Sequence, residues 1–196
     1  MIGSNPENGH PIAAMHIQRA LNRGAKLIVI DPIKTEFASR ADIHLQLEPE
    51  HNIPVINALL YTIIEEGLVN EEFVRDHTIG IEYVKEAVKD YAPEVVAKYT
   101  RLNPEDIRAA ARMYATTKPA VITHGMGVTH FNHGVGGVCD VSNLFLITGN
   151  ICELGTGDLP LRGQENVQGC CDMGVLPNIF PNLGSVTDPE QRAWFE

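Results

Sequence analysis

Residues 26–32 of the chain read KLIVIDP, a short apolar run that ends in an acidic residue and a proline. Such a run is typical of a strand buried on both faces, as in a parallel sheet. Gly24 can end a preceding helix, and Asp31-Pro32 can form the turn that follows the strand. The stretch therefore predicts a helix followed by a buried strand, which is a building unit of α/β folds.

The same alternation of helix and strand continues on both sides of this stretch. Strand patterns lie at 43–47 and 120–124. Apolar residues at helical spacing predict helices over the ranges 10–22, 52–67, 70–77, 82–89, 93–100, 103–116 and 137–148. We therefore predict a three-layer Rossmann-like α/β fold, with a mostly parallel sheet and helices on both faces, followed by an irregular C-terminal segment.

The chain begins with almost no strand before its first polar turn. Ile2 precedes GSNPENG at 3–9, so we interpret the start as a truncated first strand and the chain as a fragment of a longer protein. From about Leu159 the pattern becomes rich in glycine, proline and asparagine. We expect a Rossmann-like domain over 1–164 and the start of another domain over 165–196, partly irregular.

Bulk composition narrows the class of protein. A formal net charge of −10 argues against nucleic acid as a partner. The chain has no apolar run of membrane-spanning length and no signal-peptide pattern at its start, so we expect a cytoplasmic location and no membrane insertion. The four cysteines form no CxxC pair, and Cys139 is expected in the core. The spacing of His124, His130 and His133 fits no standard zinc motif, so no metal site is predicted.

Polar segments follow each predicted strand, at 3–9, 31–35, 48–52 and 125–130. Ligands of open α/β sheets bind beyond the carboxyl ends of the strands. Taken singly, each segment has a simpler interpretation: Asp31-Pro32 as a turn, Asn52 as a helix cap, Gly125 and Gly127 as ordinary loop glycines. Their convergence on one edge favours a ligand site.

A further polar run, RGQENVQGCCDMG, occupies 162–174. Its glycines permit close approach of the backbone to a ligand, and its arginine offers paired donors to a carboxylate or phosphate. Helical or strand periodicity does not explain this composition. The run is typical of a loop that holds a polar ligand.

In this order, the motifs resemble those of the molybdopterin oxidoreductases, and within them the catalytic alpha subunit of formate dehydrogenase. The resemblance rests on residues 3–6, 10–12, 25–32, 125–129, 146–150 and 162–174. It implies a bis(molybdopterin guanine dinucleotide) cofactor with molybdenum or tungsten, and oxidation of formate to carbon dioxide. It also implies an iron–sulfur cluster, an iron–sulfur electron-transfer subunit, and the remainder of the same subunit as partners.

The resemblance also implies roles for individual residues. Arg162 matches the catalytic arginine that orients formate, and Gln164 a glutamine at the cofactor. The remaining cofactor-binding positions that it implies are Asn5, Asn8, Gly9, Asp31, Asn52, Gly125, Gly127 and His130.

Some positions depart from the family pattern. Ile33 stands where a basic residue is usual, Glu50 where glycine is frequent, and His130 where glutamine is frequent. The cysteine or selenocysteine ligand of the metal and the cluster cysteines belong upstream, so the fragment alone is expected to be inactive. Two alternatives remain: another subunit of the superfamily, such as one of formylmethanofuran dehydrogenase, or a stand-alone nucleotide-binding scaffold domain.

Overall fold

A parallel sheet organises the first part of the chain. The computed structural model describes residues 1–164 and 166–195. Strand β1 (Ile28–Ile30) pairs in parallel with β2 (Ile43–Leu45), and β3 (Val121–His124) pairs in parallel with β4 (Gly157–Pro160). Ile2 joins the two pairs by parallel bridges to Ile30 and His124. The order across the sheet is therefore β2, β1, Ile2, β3, β4.

This order reverses direction at the segment around Ile2. The chain first builds β1 and β2 on one side of that segment and then returns to build β3 and β4 on the other. Doubly wound α/β folds place their ligands at such a reversal. The predicted Rossmann-like α/β fold with a parallel sheet is confirmed.

Helices fill most of the connections between these strands. Residues 1–161 form the helices α1 Pro6–Gly9, α2 Pro11–Leu21, α3 Glu36–Arg40, α4 Asn52–Glu65, α5 Glu71–His77, α6 Ile81–Val88, α7 Pro93–Thr100, α8 Pro104–Thr116, α9 Met126–Thr129 and α10 Gly134–Thr148. Later come α11 Val167–Asp172, a 3-10 turn Pro181–Leu183 and α12 Pro189–Phe195.

Two hydrophobic clusters lie on opposite faces of the sheet. Val29 packs in the smaller cluster, with residues of α2 and α3, whereas the next residue, Ile30, belongs to the larger one. Successive side chains of a strand point to opposite faces, so this division places apolar packing on both. The larger cluster is built around α4, which contacts α7, α8 and α10.

The helix signals in the sequence are mostly confirmed. The Asn103 side chain caps α8 by accepting from the Glu105 N–H at 3.0 Å, and Gly149 ends α10 with φ of 66°. Strand β4 was not predicted, because Gly157–Pro160 has no apolar run and depends on pairing with β3. The expected core position of Cys139 is wrong: its side chain is exposed, while its helix neighbour Val141 is buried.

The chain divides into two compact units, Met1–Leu161 and Arg162–Glu196. The predicted second domain begins at Glu165, which lies outside the described residues; the domain assignment stays a prediction. Helix α11 forms inside the glycine-rich run, where the sequence indicated only a loop. None of the described helices combines the length and apolar character that crossing a bilayer requires.

Candidate ligand site at the carboxyl edge of the sheet

The loops after the first segment and after β3 touch each other at the reversal of strand order. The Gly127 N–H donates to the Gly3 carbonyl at 3.0 Å. A Cβ on Gly127 would lie 2.6 Å from the Gly3 Cα, and one on Gly125 would lie 2.8 Å from the Gly3 carbonyl oxygen. Gly3 itself has a φ of 53°, which favours glycine. Glycines are therefore required here for two backbones to meet, whatever binds beyond them.

Asn52, the first residue of α4, stabilises this contact. Its side chain is 8% exposed, and its Nδ2 donates to the Gly127 carbonyl at 2.8 Å. The interpretation of Asn52 as a helix cap is wrong, because His51 occupies the N-cap position and Asn52 is the first residue of α4. The amide instead fixes the loop after β3 relative to α4. Its predicted contact with a cofactor is untested.

Asp31 presents a buried carboxylate beside the same edge. It is 8% exposed, and its Oδ1 accepts from the Ile33 N–H at 2.8 Å. Burial raises the pKa of this carboxyl, while the Ile33 N–H and the nearby His44 act in the opposite direction. The His44 ring, through Nε2, lies 3.0 Å from the Asp31 carbonyl oxygen. One carboxylate oxygen of Asp31, Oδ1, is therefore already hydrogen-bonded within its own turn, which holds the side chain in place.

Glu7 is a site residue that the sequence analysis missed. Its Oε1 accepts from the Phe37 N–H at 2.5 Å, so it joins the first loop to the start of α3. Its Oε2 is buried and has no hydrogen-bond partner among the described residues. The available signal was an acidic residue inside a polar turn directly after the first strand, next to the predicted contacts Asn5 and Asn8.

The other predicted contacts in this unit are exposed. Asn5, Asn8, Gly9 and His130 all have exposed side chains or backbone, on the loops that follow Ile2 and β3. The Asn5 side chain makes no cap hydrogen bond to α1. Each is accessible to a ligand, and each assignment stays a prediction.

Arg162 and Gln164 belong to the second unit and are exposed within the structure. They follow β4, which ends at Pro160, by only a few residues of chain. Their predicted roles toward formate and cofactor are not tested by these positions.

The histidines do not gather around a metal position. His124 is 3% exposed, and its Nδ1 lies 3.0 Å from Oδ1 of Asp158 on the neighbouring strand, which makes it a buried structural pair. His130 and His133 lie outside β3, around α9. Across residues 1–164 and 166–195, no set of at least three His, Cys, Asp or Glu side chains is arranged to hold a metal ion.

The edge fits a nucleotide better than a metal centre. Gly3 and Gly127 bring backbone loops together, Asp31 and Glu7 supply carboxylate acceptors, and Asn5 and Asn8 add exposed amides. Such a set matches the hydroxyl and amino donors of a nucleoside and the polar atoms of a pterin. The described residues of the edge include no cysteine.

Comparison with models of known protein families identifies the family of this chain. Residues 1–186 match the family model of the molybdopterin oxidoreductases. The chain belongs to the molybdopterin oxidoreductase family.

Individual relatives agree with this assignment. The chain is 48% identical over 188 residues to the F420-dependent formate dehydrogenase subunit alpha of Methanocaldococcus jannaschii, covering 96% of this chain and 28% of that protein. It is 45% identical over 195 residues to formate dehydrogenase H of Escherichia coli, covering 100% of this chain and 27% of that protein. The chain thus spans less than a third of these relatives, and the resemblance to formate dehydrogenase alpha subunits is confirmed.

A solved structure shares the fold of this molybdopterin oxidoreductase chain. Acetylene hydratase from Pelobacter acetylenicus superposes with a TM-score of 0.74 and 32% sequence identity, covering 79% of this chain and 21% of that one. Because fold alone does not determine the reaction, this neighbour supports the architecture and not a particular substrate.

Proposed function

We propose that this chain is the part of a formate dehydrogenase catalytic subunit that binds one guanine dinucleotide end of a bis(molybdopterin guanine dinucleotide) cofactor. In the full-length protein, the reaction is the oxidation of formate to carbon dioxide and a proton, with electrons leaving through an iron–sulfur cluster. By itself the chain is catalytically inactive, because the metal ligand and the cluster ligands belong to other parts of the protein.

One observation carries the proposal. The loops after Ile2, β1 and β3 meet where the strand order reverses, with the Gly3–Gly127 contact at their centre and the buried Asp31 beside it. This is the position at which doubly wound α/β proteins bind nucleotides. The identities of 48% and 45% to proteins named formate dehydrogenase favour formate as the substrate of the full-length protein.

The residues have distinct proposed tasks. Asp31 and the exposed amides of Asn5 and Asn8 hydrogen-bond the nucleotide, and Asn52 keeps the loop after β3 in place. When bound, the molybdenum or tungsten cofactor supplies the acceptor for the electrons of formate. Arg162 binds the carboxylate of formate through charge-assisted hydrogen bonds and thereby orients its C–H bond. Gln164 contacts the cofactor nearby.

The nucleotide site is tested on this chain alone. Titration with GMP, the nucleotide end of the cofactor, is followed by ligand-observed NMR. We expect saturable binding, and a loss of affinity of roughly 10-fold in Asp31→Asn, since hydrogen bonds to charged groups contribute about 1.5–3 kcal/mol. Asp90→Asn, a change at an exposed position, is the matched control. Wild-type protein that shows no saturable binding contradicts the proposal.

The role of Arg162 is tested in the full-length enzyme. Arg162→Ala is expected to reduce formate turnover by at least roughly 100-fold, as removal of an oriented charged donor does elsewhere. Its molybdenum or tungsten content stays near the wild-type value, because Arg162 binds substrate. Arg162→Lys keeps the charge but loses the paired geometry and should recover only part of the rate. Normal turnover in Arg162→Ala removes this residue from the substrate site.

A further inference from the structure

Glu7 connects two loops of the proposed nucleotide site. It lies in α1, directly after the central Ile2 segment, and its Oε1 accepts from the Phe37 N–H in the first turn of α3. The two residues are 30 positions apart in sequence. One carboxylate oxygen therefore fixes the loop after Ile2 against the loop after β1.

The second carboxylate oxygen is left without a donor. Oε2 of Glu7 is buried and has no hydrogen-bond partner within the described part of the chain. An ionised carboxylate has only acceptor sites, and a buried acceptor without a partner costs free energy. Buried acceptors without a partner are rare in native structures, and each needs a water, an ion or a ligand to satisfy it.

Two backbone donors at the start of α3 are already committed to other acceptors. The Thr35 hydroxyl oxygen accepts from the Ala38 N–H at 3.1 Å, and the Phe37 N–H is bound to the other oxygen of Glu7. Asp31, on the same loop, is itself an acceptor. The N–H groups of Phe37 and Ala38 are therefore not available to Oε2, and a ligand in the proposed nucleotide site would supply a donor for it.

We propose that Glu7 is a specificity-determining residue of the nucleotide site, whose Oε2 accepts a hydrogen bond from an N–H or O–H donor of the guanosine. This inference rests on the proposed nucleotide-binding function. A carboxylate repels phosphate and cannot donate to it, so Glu7 faces the nucleoside and not the diphosphate. Four donors of guanosine suit it: the N1–H and the 2-amino group of the base, and the 2′- and 3′-hydroxyls of the ribose.

Glu7→Gln separates this role from a structural one. Glutamine has the same shape, and its Oε1 can still accept from the Phe37 N–H, while its NH₂ group replaces the acceptor Oε2. The contact between the loops is thereby kept and the acceptor is lost. Glu36→Gln makes the same change of charge at an exposed position on α3 and is the control.

The measurement is the Kd of the chain for GMP and for four analogues that each lack one donor: IMP, which lacks the 2-amino group, 1-methyl-GMP, which lacks the N1–H, 2′-deoxy-GMP and 3′-deoxy-GMP. We expect Glu7→Gln to weaken GMP binding roughly 10-fold or more, with Glu36→Gln within about twofold of wild type, since hydrogen bonds to charged groups are the stronger class. One analogue should lose little further affinity in Glu7→Gln, because its missing donor is the partner of Oε2. The analogue whose loss is non-additive with Glu7→Gln identifies the donor that Oε2 binds.

The possible failures are distinguishable. If the wild-type chain binds neither GMP nor any of the analogues, the proposed function and the role of Glu7 are both wrong. If the wild-type chain binds GMP and the Glu7→Gln variant binds it equally well, the role of Glu7 is wrong and the nucleotide site stands. Losses that are additive for all four analogues show that Glu7 acts only by holding the loops together. The melting temperature of Glu7→Gln reports whether the hydrogen bond to the Phe37 N–H is kept, and we expect it to stay near that of wild type.

Discussion

Asp140 provides a quantitative test of the helix packing. It lies half-buried on α10, near the Asn57 side chain of α4, which favours its charged form. Burial raises the pKa of Asp140 from 3.8 to about 6, although the Asn57 side chain opposes the change. At neutral pH the folded protein therefore holds a carboxylate in surroundings that disfavour its charge. We expect Asp140→Asn to stabilise the protein at pH 7.

The size of the effect follows from the difference in pKa. Each pKa unit corresponds to about 1.4 kcal/mol, so the full difference sets an upper limit of about 3 kcal/mol. Because the side chain is partly exposed, solvent screening reduces this value, and we expect a gain of about 1 kcal/mol.

The pH dependence of the free energy of unfolding tests whether Asp140 destabilises the folded protein when it is charged. A group whose pKa is higher in the folded state takes up protons on folding, so its penalty is absent below the unfolded pKa of 3.8 and complete above about 6. Wild type should therefore lose stability as pH rises from 4 to 7, and Asp140→Asn should lack this part of the slope. The contribution of Asp31, whose pKa is also raised by burial, cancels in the comparison.

The assay is urea unfolding followed by circular dichroism at several pH values between 4 and 7.5. Asp90→Asn, at an exposed position, is the control and should follow the wild-type curve. If Asp140→Asn is no more stable than wild type at pH 7 and keeps the same slope, burial of Asp140 does not disfavour its charge and the reasoning is wrong.

Three further predictions concern the packing around the site, and each is tested by denaturant unfolding. Gly127→Ala places its Cβ 2.6 Å from backbone and should destabilise by about 1–3 kcal/mol, whereas Gly136→Ala, with nothing within 4 Å, should be neutral or stabilising. Asn52→Ala removes the bond to the Gly127 carbonyl and should lower stability by about 1 kcal/mol; an unchanged value would mean that the amide does not hold this loop. Asp158→Ala leaves the buried His124 without its partner and should destabilise by about 2 kcal/mol, with Asp158→Asn intermediate. Equal stability of both Asp158 variants and wild type would contradict a structural role for the pair.

Local patterns in the sequence were sufficient for the regular elements. The run before Asp31 predicted β1, and Asn103 with Pro104 predicted the start of α8, because a buried strand and a helix start depend mainly on residues next to each other in sequence. Strand β4 has no such pattern. Its residues become a strand through hydrogen bonds with β3, whose register joins Ile122 to Asp158 across a long separation in the chain.

The same limit applies to the candidate site. Sequence reasoning located the polar loops and their common edge, since parallel strands bring their carboxyl ends together. It did not find the task of Asn52, whose partner Gly127 is 75 positions away, and it passed over Glu7, whose partner Phe37 is 30 positions away. Cys139 was assigned to the core because helical spacing alone does not determine which face of α10 meets α4.

The sequence by itself determined the α/β fold, the family and the edge at which a ligand is expected, because periodicity and motif order are properties of the linear chain. Only the tertiary structure decided which polar atoms are buried, which of these have a hydrogen-bond partner and which have none. In the sequence alone, Asp31 is typical of a turn and Asn52 of a helix start, and nothing distinguishes Glu7 from its polar neighbours. Their different roles arise from packing partners that folding brings within hydrogen-bond distance, and the buried Oε2 of Glu7 becomes visible only when those partners are in place.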